Sequence, residues 1–480
     1  MAKQDDEGIS VVLGRLADGV TRGIEGVGQS VSAQFFDPTL RLGVTGLSRA
    51  GKTVFITSLI ANLIDRGRMP QLVAAAEGRI LTAFLQPQPD DTVPRFDYEA
   101  HHAALTAPDP HWPDSTRAVS QLRLSLRLRG SGLLGGMAGP RTLHLDIVDY
   151  PGEWLLDLGL MGKSYDDWAQ AALARMDGRP GGEAARAALA AADGRAQLDE
   201  GTAQALAQGF TSHLVASREA GFSDCTPGRF LLPGEMAGSP VLTFAPLPPG
   251  PAPRGSLRAE FTRRYDAYKA KIVQPFFRDH FARLDRQIVL VDVLGAIHDG
   301  PRAVEDLRRT LAETLSAFRP GTNSWLGRLL GARRVDRILF AATKADHLHH
   351  SQHAKLTGIM DALVRDARSR ADFAGARTDA ISIAALRATV EETRAHDGRN
   401  LDVVRGRLLD GGRQAAFYPG ALPQDASALL APAREGAEAW LDEDYAIMRF
   451  APARLSLRPG EGPPHIRLDR AAQFLIGDRL

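Results

Sequence analysis

Between an apolar run and an amphipathic one, the chain places Gly46-Leu47-Ser48-Arg49-Ala50-Gly51-Lys52-Thr53, which matches the pattern G-x-x-x-x-G-K-[ST] in full. This pattern cradles phosphate. Its glycines let successive backbone N–H groups curl around an anion, and the helix that starts near Lys52 aims its positive end at the same point. Lys52 bridges the outer phosphates of a nucleoside triphosphate, and the Thr53 hydroxyl is a ligand for Mg2+. Ser48, Arg49, Ala50, Gly51 and Val54 complete the binding set, with Ser48 positioning backbone rather than acting as a nucleophile.

Two further clusters fit the same chemistry. Asp149 ends the run "LHLDIVD", and Gly152 follows in "DYPG". A carboxylate at a strand end holds Mg2+ through water, and a glycine N–H three residues on reaches the outermost phosphate. Asp146 is a decoy on the opposite face from Asp149. Thr343-Lys344-Ala345-Asp346 comes directly after another apolar run. Asp346 can accept hydrogen bonds from N1 and N2 of guanine, a donor pair that adenine lacks, while Lys344 lies along the purine face. An unpaired carboxylate set against adenine is costly, so such a loop discriminates. His347 adjoins it. His347, His349 and His350 resemble a metal tract, but the sequence shows no matching cysteine or carboxylate cluster, and a helix-start surface is the expectation.

The elements that must position these residues are legible as patterns. "TLRLGVTG" reads as a buried strand and "KTVFITSLIANLI" as the helix it feeds. "SQLRLSLRL" alternates as a strand with one wet face does, and with "RTLHLDIVD" across "GSGLLGGMAGP" it makes an antiparallel hairpin. "RQIVLVDVLG", "DRILFAATKAD" and "TDAISIAAL" complete a series of strands alternating with helices. The fold class expected is α/β, a doubly wound, mostly parallel sheet of the P-loop GTPase type with a helical insertion. Residues 1–36 hold an apolar stripe from Ile9 to Phe35 on an amphipathic helix. Residues 37–157 carry the first half of the core, 158–285 a mainly helical insertion, 286–400 the second half, and 401–480 an extension packed on the core. Within the insertion, "PLPPGPAP" is expected to be a surface connection.

In this order the motifs resemble the translation-factor-related class of P-loop GTPases. "HWPDSTRAVSQLRLSL", "DYPGEWLLDL", "AATKAD" and the ending "PHIRLDRAAQFLIGDRL" together are similar to the YcjX-like family of bacterial stress-associated GTPases, a resemblance that runs from Leu42 to Leu480. It implies a switch that cycles between GTP and GDP with Mg2+. It implies a Mg2+-binding threonine before the first hairpin strand, for which Thr116 is the first choice and Ser115 the second. Trp112 and Arg117 become neighbours of the nucleotide, and "SIAAL" becomes the last GTPase element, with the Ala385 backbone at guanine O6. Two departures bear on catalysis. Glu153 stands where small GTPases place the glutamine that orients water, and Arg49 stands where guanylate-binding-protein and atlastin-type GTPases carry an arginine finger in cis. Arg49 in solvent, or paired with a carboxylate, is the other reading.

Composition limits the classes. With 480 residues the chain can bury large cores in two or three domains. A formal net charge of +1 gives no chain-wide attraction to nucleic acid. One cysteine, Cys225, allows no internal disulfide. With no signal peptide pattern and no apolar stretch of about 20 residues, a cytoplasmic protein is expected. The N-terminal stripe allows peripheral contact with the inner membrane, and the insertion offers a place for an unidentified protein partner. The leading reading is a hydrolysing switch. A GTP-gated structural or tethering module with negligible turnover is the alternative, and an ATP-dependent kinase is opposed by "TKAD".

Overall fold

The computed structural model describes residues 38–47, 49–114, 118–130, 139–316, 335–373, 375–440 and 445–480. The N-terminal stripe, Ser48, Ser115, Thr116, Arg117 and most of the glycine-rich turn at 130–140 lie outside the described residues.

The strand β1, Thr39–Gly46, buries Leu40, Leu42 and Val44. Each of its edges carries a parallel neighbour, β4 (Arg141–Asp149) on one side and β5 (Arg286–Val291) on the other. Its apolar residues Leu40, Leu42 and Val44 fall at alternate positions, the two-residue period of a strand, which is why it was legible. Next to β5 lies β6 (Arg337–Ala342), followed by β7 (Arg377–Ser382), both parallel. On the far side of β4, β3 (Ser120–Leu128) pairs antiparallel with it from Ser120↔Asp149 to Leu128↔Arg141. Sequence reading missed β2, Ile80–Gln86, which pairs antiparallel with β3 at the sheet edge. Its alternation is diluted because an edge strand leaves much of its length half-exposed. Among the described residues the order is β2-β3-β4-β1-β5-β6-β7. The chain therefore leaves β1 toward β4 first and returns on its other side with β5, so the switch in winding falls at the carboxyl end of β1, where an open α/β sheet forms its crevice.

One face of the sheet is covered by α1, Lys52–Ile64, and by a C-terminal helix, Leu468–Ile476, whose Leu468, Ala471, Ala472 and Leu475 join Leu59 and Leu63 in one core. The other face is shared. Over β5 and β6 pack the helices Val293–His298, Pro301–Ser316 and His353–Phe373. Beside them sits the insertion, whose core is continuous with Val148 and Tyr150 at the end of β4.

The insertion is helical, as its alanine-rich composition suggests. The helix Tyr165–Arg175 starts on a reciprocal cap: Asp167 N–H donates to Ser164 Oγ at 3.1 Å, and Ser164 N–H donates to Asp167 Oδ2 at 3.2 Å. Its centre is aromatic. Trp168 stacks on Tyr265 at 5.1 Å between centroids and meets Phe244 edge-on at 5.4 Å. The proline-rich stretch departs from expectation here. Phe244, Ala245, Pro246 and Leu247 are buried, and the Tyr165 hydroxyl donates to Ala245 O at 2.7 Å and accepts from Leu247 N–H at 3.1 Å. Only from Pro249 onward does this stretch run exposed. Of "PLPPGPAP" itself only Pro246 and Leu247 are buried, drawn in beside Phe244, which packs edge-on to Trp168, while Pro249 to Pro253 form the exposed connection expected.

A second sheet went unread. The strands Thr389–His396 (β8), Arg399–Arg407 (β9) and Gln414–Phe417 (β10) form an antiparallel meander that crosses position 400. Its first turn is Asp397-Gly398, both at positive φ (48° and 74°), the D-G signature of a two-residue hairpin. Charged strands hid the pattern, although the turn pair was visible. Among the described residues, no helix is long and apolar enough to cross a membrane.

Truncating Trp168 should test the insertion core. Trp168→Ala is expected to cost about 3–5 kcal/mol of stability, the range for a buried large aromatic. Urea unfolding followed by far-UV circular dichroism checks it, and an unchanged midpoint would show that this cluster does not hold the insertion.

Candidate functional site

The phosphate-loop residues fall in the turn from β1 into α1, as the motif requires. Gly46 ends β1 and Lys52 opens α1. Gly51 has φ +80° and Arg49 φ +64°, so two left-handed positions lie within three residues and turn the loop sharply. For arginine this conformation costs about 1–3 kcal/mol, strain that a loop keeps where its shape matters. The Lys52 ammonium donates to Gly46 O at 3.2 Å, which folds the side chain back over the loop. Ala50 and Thr53 are buried, Lys52 and Val54 half-buried, and Arg49 exposed. Burial raises the carboxyl pKa of Asp299, and Arg49 is among the cations that oppose this, so its charge is felt there.

Asp149 lies one strand over from the loop, in register with Val44, and is buried. Gly152 comes closer still. A Cβ on Gly152 would stand 1.7 Å from Gly46 O and 3.3 Å from Leu47 Cα. Only glycine allows this approach, so the turn after β4 rests directly on the first residue of the phosphate loop. Asp146 is held instead by Arg123, whose Nε and Nη2 donate to its two oxygens at 2.6 and 2.8 Å.

The segment after Gly152 is gripped by the insertion. Glu153 is buried, with Oε1 3.8 Å from Nη1 of Arg218 on the helix Glu200–Glu219. Trp154 Nε1 donates to Leu232 O at 3.1 Å, and the Arg229 guanidinium lies 3.2 Å from its ring centroid. Asp157 is buried and accepts from Gly228 N–H at 2.7 Å and from the Tyr268 hydroxyl. Burial pushes its carboxyl up to about 7, against the opposing pull of these hydrogen bonds and of Arg229. None of Arg218, Arg229 or Asp157 was singled out from sequence, because nothing in the local pattern signals a partner 60 or more residues away.

The "TKAD" residues lie one strand beyond β5. Thr343 N–H donates to Val291 O at 2.9 Å, continuing the β5–β6 ladder. Lys344 adopts φ +59° and its ammonium pairs with Asp292, an acidic strand-end residue that sequence reading passed over. Asp346 is buried, and its Oδ2 accepts from Ala388 N–H at 2.8 Å while its backbone carbonyl accepts from the Thr389 hydroxyl. The small sheet thus braces this loop. His347 is buried and edge-on to Phe450 at 5.2 Å, and burial lowers its pKa. Trp112 Nε1 donates to Phe450 O at 2.7 Å, so Trp112 packs in the small cluster of Ala388, Val404 and Phe450 beside the loop. Ala385 is half-buried in a turn fixed by paired bonds between Ala384 and Ile466 at 3.1 and 2.8 Å. The structure brings Lys52, Gly152 and Asp149 to neighbouring strand ends, and Asp346 to the end of β6 on the same side. Ser48, Ser115, Thr116 and Arg117 lie outside the described residues.

With this geometry in view, comparison with known proteins is informative. Residues 40–480 match the model of the YcjX-like family, DUF463. A protein of Escherichia coli (strain K12) named "Ras-like GTPase YcjX" is 37% identical over 460 residues, covering 92% of this chain and 96% of its own length. A protein of the same name from Shewanella oneidensis is 35% identical over 479 residues, covering 94% of this chain and 97% of its own.

Two outcomes are expected from these contacts. Gly152→Ala must displace either the phosphate loop or the turn after β4, so a fall in melting temperature larger than for Gly209→Ala is expected, since Gly209 has open space at its Cβ. Equal melting temperatures for the two variants would contradict the close approach. Asp157 stays protonated in the fold up to about pH 7, whereas a free aspartate loses its proton near pH 4. The folded chain therefore binds the extra proton in this window, and the group's contribution to stability falls as pH rises from about 4 to about 7. Asp157→Asn should gain stability relative to the parent across that window in thermal melts, and a constant difference would remove Asp157 as the cause.

Proposed function

This chain belongs to the YcjX-like family, and from that premise we propose that it binds GTP and hydrolyses it to GDP with Mg2+, acting as a molecular switch. The observation that supports the reading is the gathering of Gly46, Gly51, Lys52 and Thr53 with Asp149 and Gly152 at the carboxyl ends of β1 and β4, and of the buried Asp346 past the end of β6 on the same side. The relatives' printed name, "Ras-like GTPase", supports the same class.

Lys52 meets the outer phosphates once it leaves Gly46 O, and Gly152 N–H reaches the terminal one. Asp346 reads guanine through its second oxygen, with Oδ2 held by Ala388 so that the carboxylate is preset. The Thr53 hydroxyl and Asp149 carboxylate are hard oxygen donors of the kind Mg2+ takes, with Thr116 as the further ligand expected. When bound, the ion neutralises charge on the bridging oxygens. Val54, Ala50 and Ser48 line the phosphates. Ala385, Trp112 and His347 border the base, and Arg117 and Ser115 accompany Thr116. Glu153, tied toward Arg218, is turned to the insertion, so among the described residues Arg49, in the turn beside Lys52, is the arginine assigned to stabilise charge in phosphoryl transfer. The grip of the insertion on residues 152–157 makes the insertion the natural receiver of nucleotide state, and so the natural partner surface.

The alternative, a GTP-gated tether with negligible turnover, is favoured by the Glu153–Arg218 pairing, which leaves no residue of this turn to orient water. The stress-associated role, and contact with the inner membrane, rest on the family resemblance and the N-terminal stripe alone.

Three variants divide these readings. Asp346→Asn should shift preference from guanine to xanthine nucleotides, measured by competition binding, and equal affinity of the parent for ATP and GTP would refute the base-reading role. Lys52→Ala should weaken triphosphate binding, whereas normal hydrolysis by this variant would remove the phosphate-loop assignment. Arg49→Ala should lower single-turnover GTP hydrolysis by about 10³-fold with GDP affinity nearly unchanged. Parent-like turnover in that variant would pass the role to Arg117 or to a partner, and no measurable turnover in the parent would favour the tether.

A further inference from the structure

We propose that His349, His350 and Glu391 form a binding site for a divalent transition-metal ion of the zinc class, separate from the Mg2+ expected at the phosphates. In sequence, the histidine tract lacks a carboxylate. The fold supplies one by laying β8 against the start of the helical segment that follows "TKAD". His350 Nδ1 lies 2.6 Å from Glu391 Oε2, and His349 Nε2 lies 3.7 Å from the same oxygen. One ligand atom from each of the three residues falls within 4.8 Å of the other two. Two imidazoles and a carboxylate are the three-ligand set that zinc accepts, with a fourth position left for water.

The surroundings favour an ion over a plain hydrogen bond. Arg387 Nη2 takes the other oxygen of Glu391, Oε1, at 3.1 Å, which orients the carboxylate and leaves Oε2 to both imidazoles. His349 Nδ1 lies 2.9 Å from Ser351 Oγ and 3.4 Å from Asp402 Oδ2 on β9. Nδ1 also accepts from Ser351 N–H at 3.4 Å, so with Nδ1 engaged, Nε2 is the ring nitrogen turned to Glu391 and the ligand atom offered to an ion. The side chain of His349 is only 12% exposed and that of Glu391 19%, so two of the three ligands are already immobilised. His350, 70% exposed, is the one able to close on an arriving ion.

The position gives the site a consequence. β8 is fixed to Asp346 through Ala388 and Thr389, three and two residues before Glu391. An ion joining Glu391 to His349 and His350 clamps both ends of the loop that begins at Asp346 to one strand.

The test uses the full chain freed of metal and without nucleotide, so its result does not depend on the GTP reading. Zn2+ is titrated by calorimetry, and Co2+ by visible absorption, where a distorted tetrahedral N/O site gives intense d–d bands. One saturable ion per chain is expected. His350→Ala and Glu391→Gln should each weaken it at least about tenfold, while His396→Ala, at the far end of β8, should leave it unchanged. His350 is exposed, so its replacement keeps the test valid even if Glu391→Gln disturbs the hairpin. No saturable binding in the parent, or parent-like affinity in His350→Ala, overturns the proposal.

Discussion

The arrangement depends on one close approach, that of Gly152 to the carbonyl of Gly46. A backbone contact with no room for a methyl group joins the turn after β4 to the first residue of the phosphate loop. Side chains can shift by rotation, but a loop that moves toward a backbone already in contact with it must displace that backbone. Whatever changes the shape of the loop from Gly46 to Thr53 is therefore transmitted to residues 152–157 without a side chain as intermediary. β1 and β4 are hydrogen-bonded neighbours, so the two turns are held at the same height and the contact follows from the sheet order.

Residues 153–157 are tied as firmly to the insertion as Gly152 is to the loop. Glu153 faces Arg218, Trp154 lies under Arg229, and Asp157 is enclosed by Gly228 and Tyr268. A second close approach reinforces them, since a Cβ on Gly228 would lie 2.0 Å from Glu153 O. The short helix Gly152–Leu156 is thus a rigid link between the loop and a helical body built around Trp168 and Tyr265. On the proposed reading, the departure from the usual glutamine gains a physical sense: a carboxylate at position 153 serves the insertion through Arg218.

The loop that begins at Thr343 is braced differently. Asp346 is set by hydrogen bonds from Ala388 and Thr389, the entry to the small β8–β10 sheet, while Lys344 is drawn to Asp292 at the end of β5. Trp112 and His347 meet on either side of Phe450, which comes from the C-terminal extension. Three distant parts of the chain therefore share the task of holding one loop. Through Phe450 the extension is built into the body of the fold.

Much of this was legible because it is local. The sequence determined β1 and α1 to the residue, since Leu40, Leu42 and Val44 alternate as a strand requires and the helix after it has its glycine cap at Gly51. It also determined the hairpin of β3 and β4, the parallel strands β5 to β7, and the helical character of the insertion, each through periodicity or composition confined to a short window. It singled out Lys52, Thr53, Asp149, Gly152 and Asp346 because a motif is itself a local spacing. Only the tertiary structure decided the rest. It buried the proline-rich stretch at Phe244 to Leu247, turned Glu153 toward Arg218, and joined Lys344 to Asp292. It gave the histidines at 349 and 350 the carboxylate of Glu391, and paired β2 and the charged strands β8 to β10. Apart from the β8–β10 meander, whose pairing is local but masked by its charged strands, each of these rests on a contact between segments tens of residues apart, and such a contact leaves no periodic trace in either segment, because its energy comes from the partner that the fold brings to it.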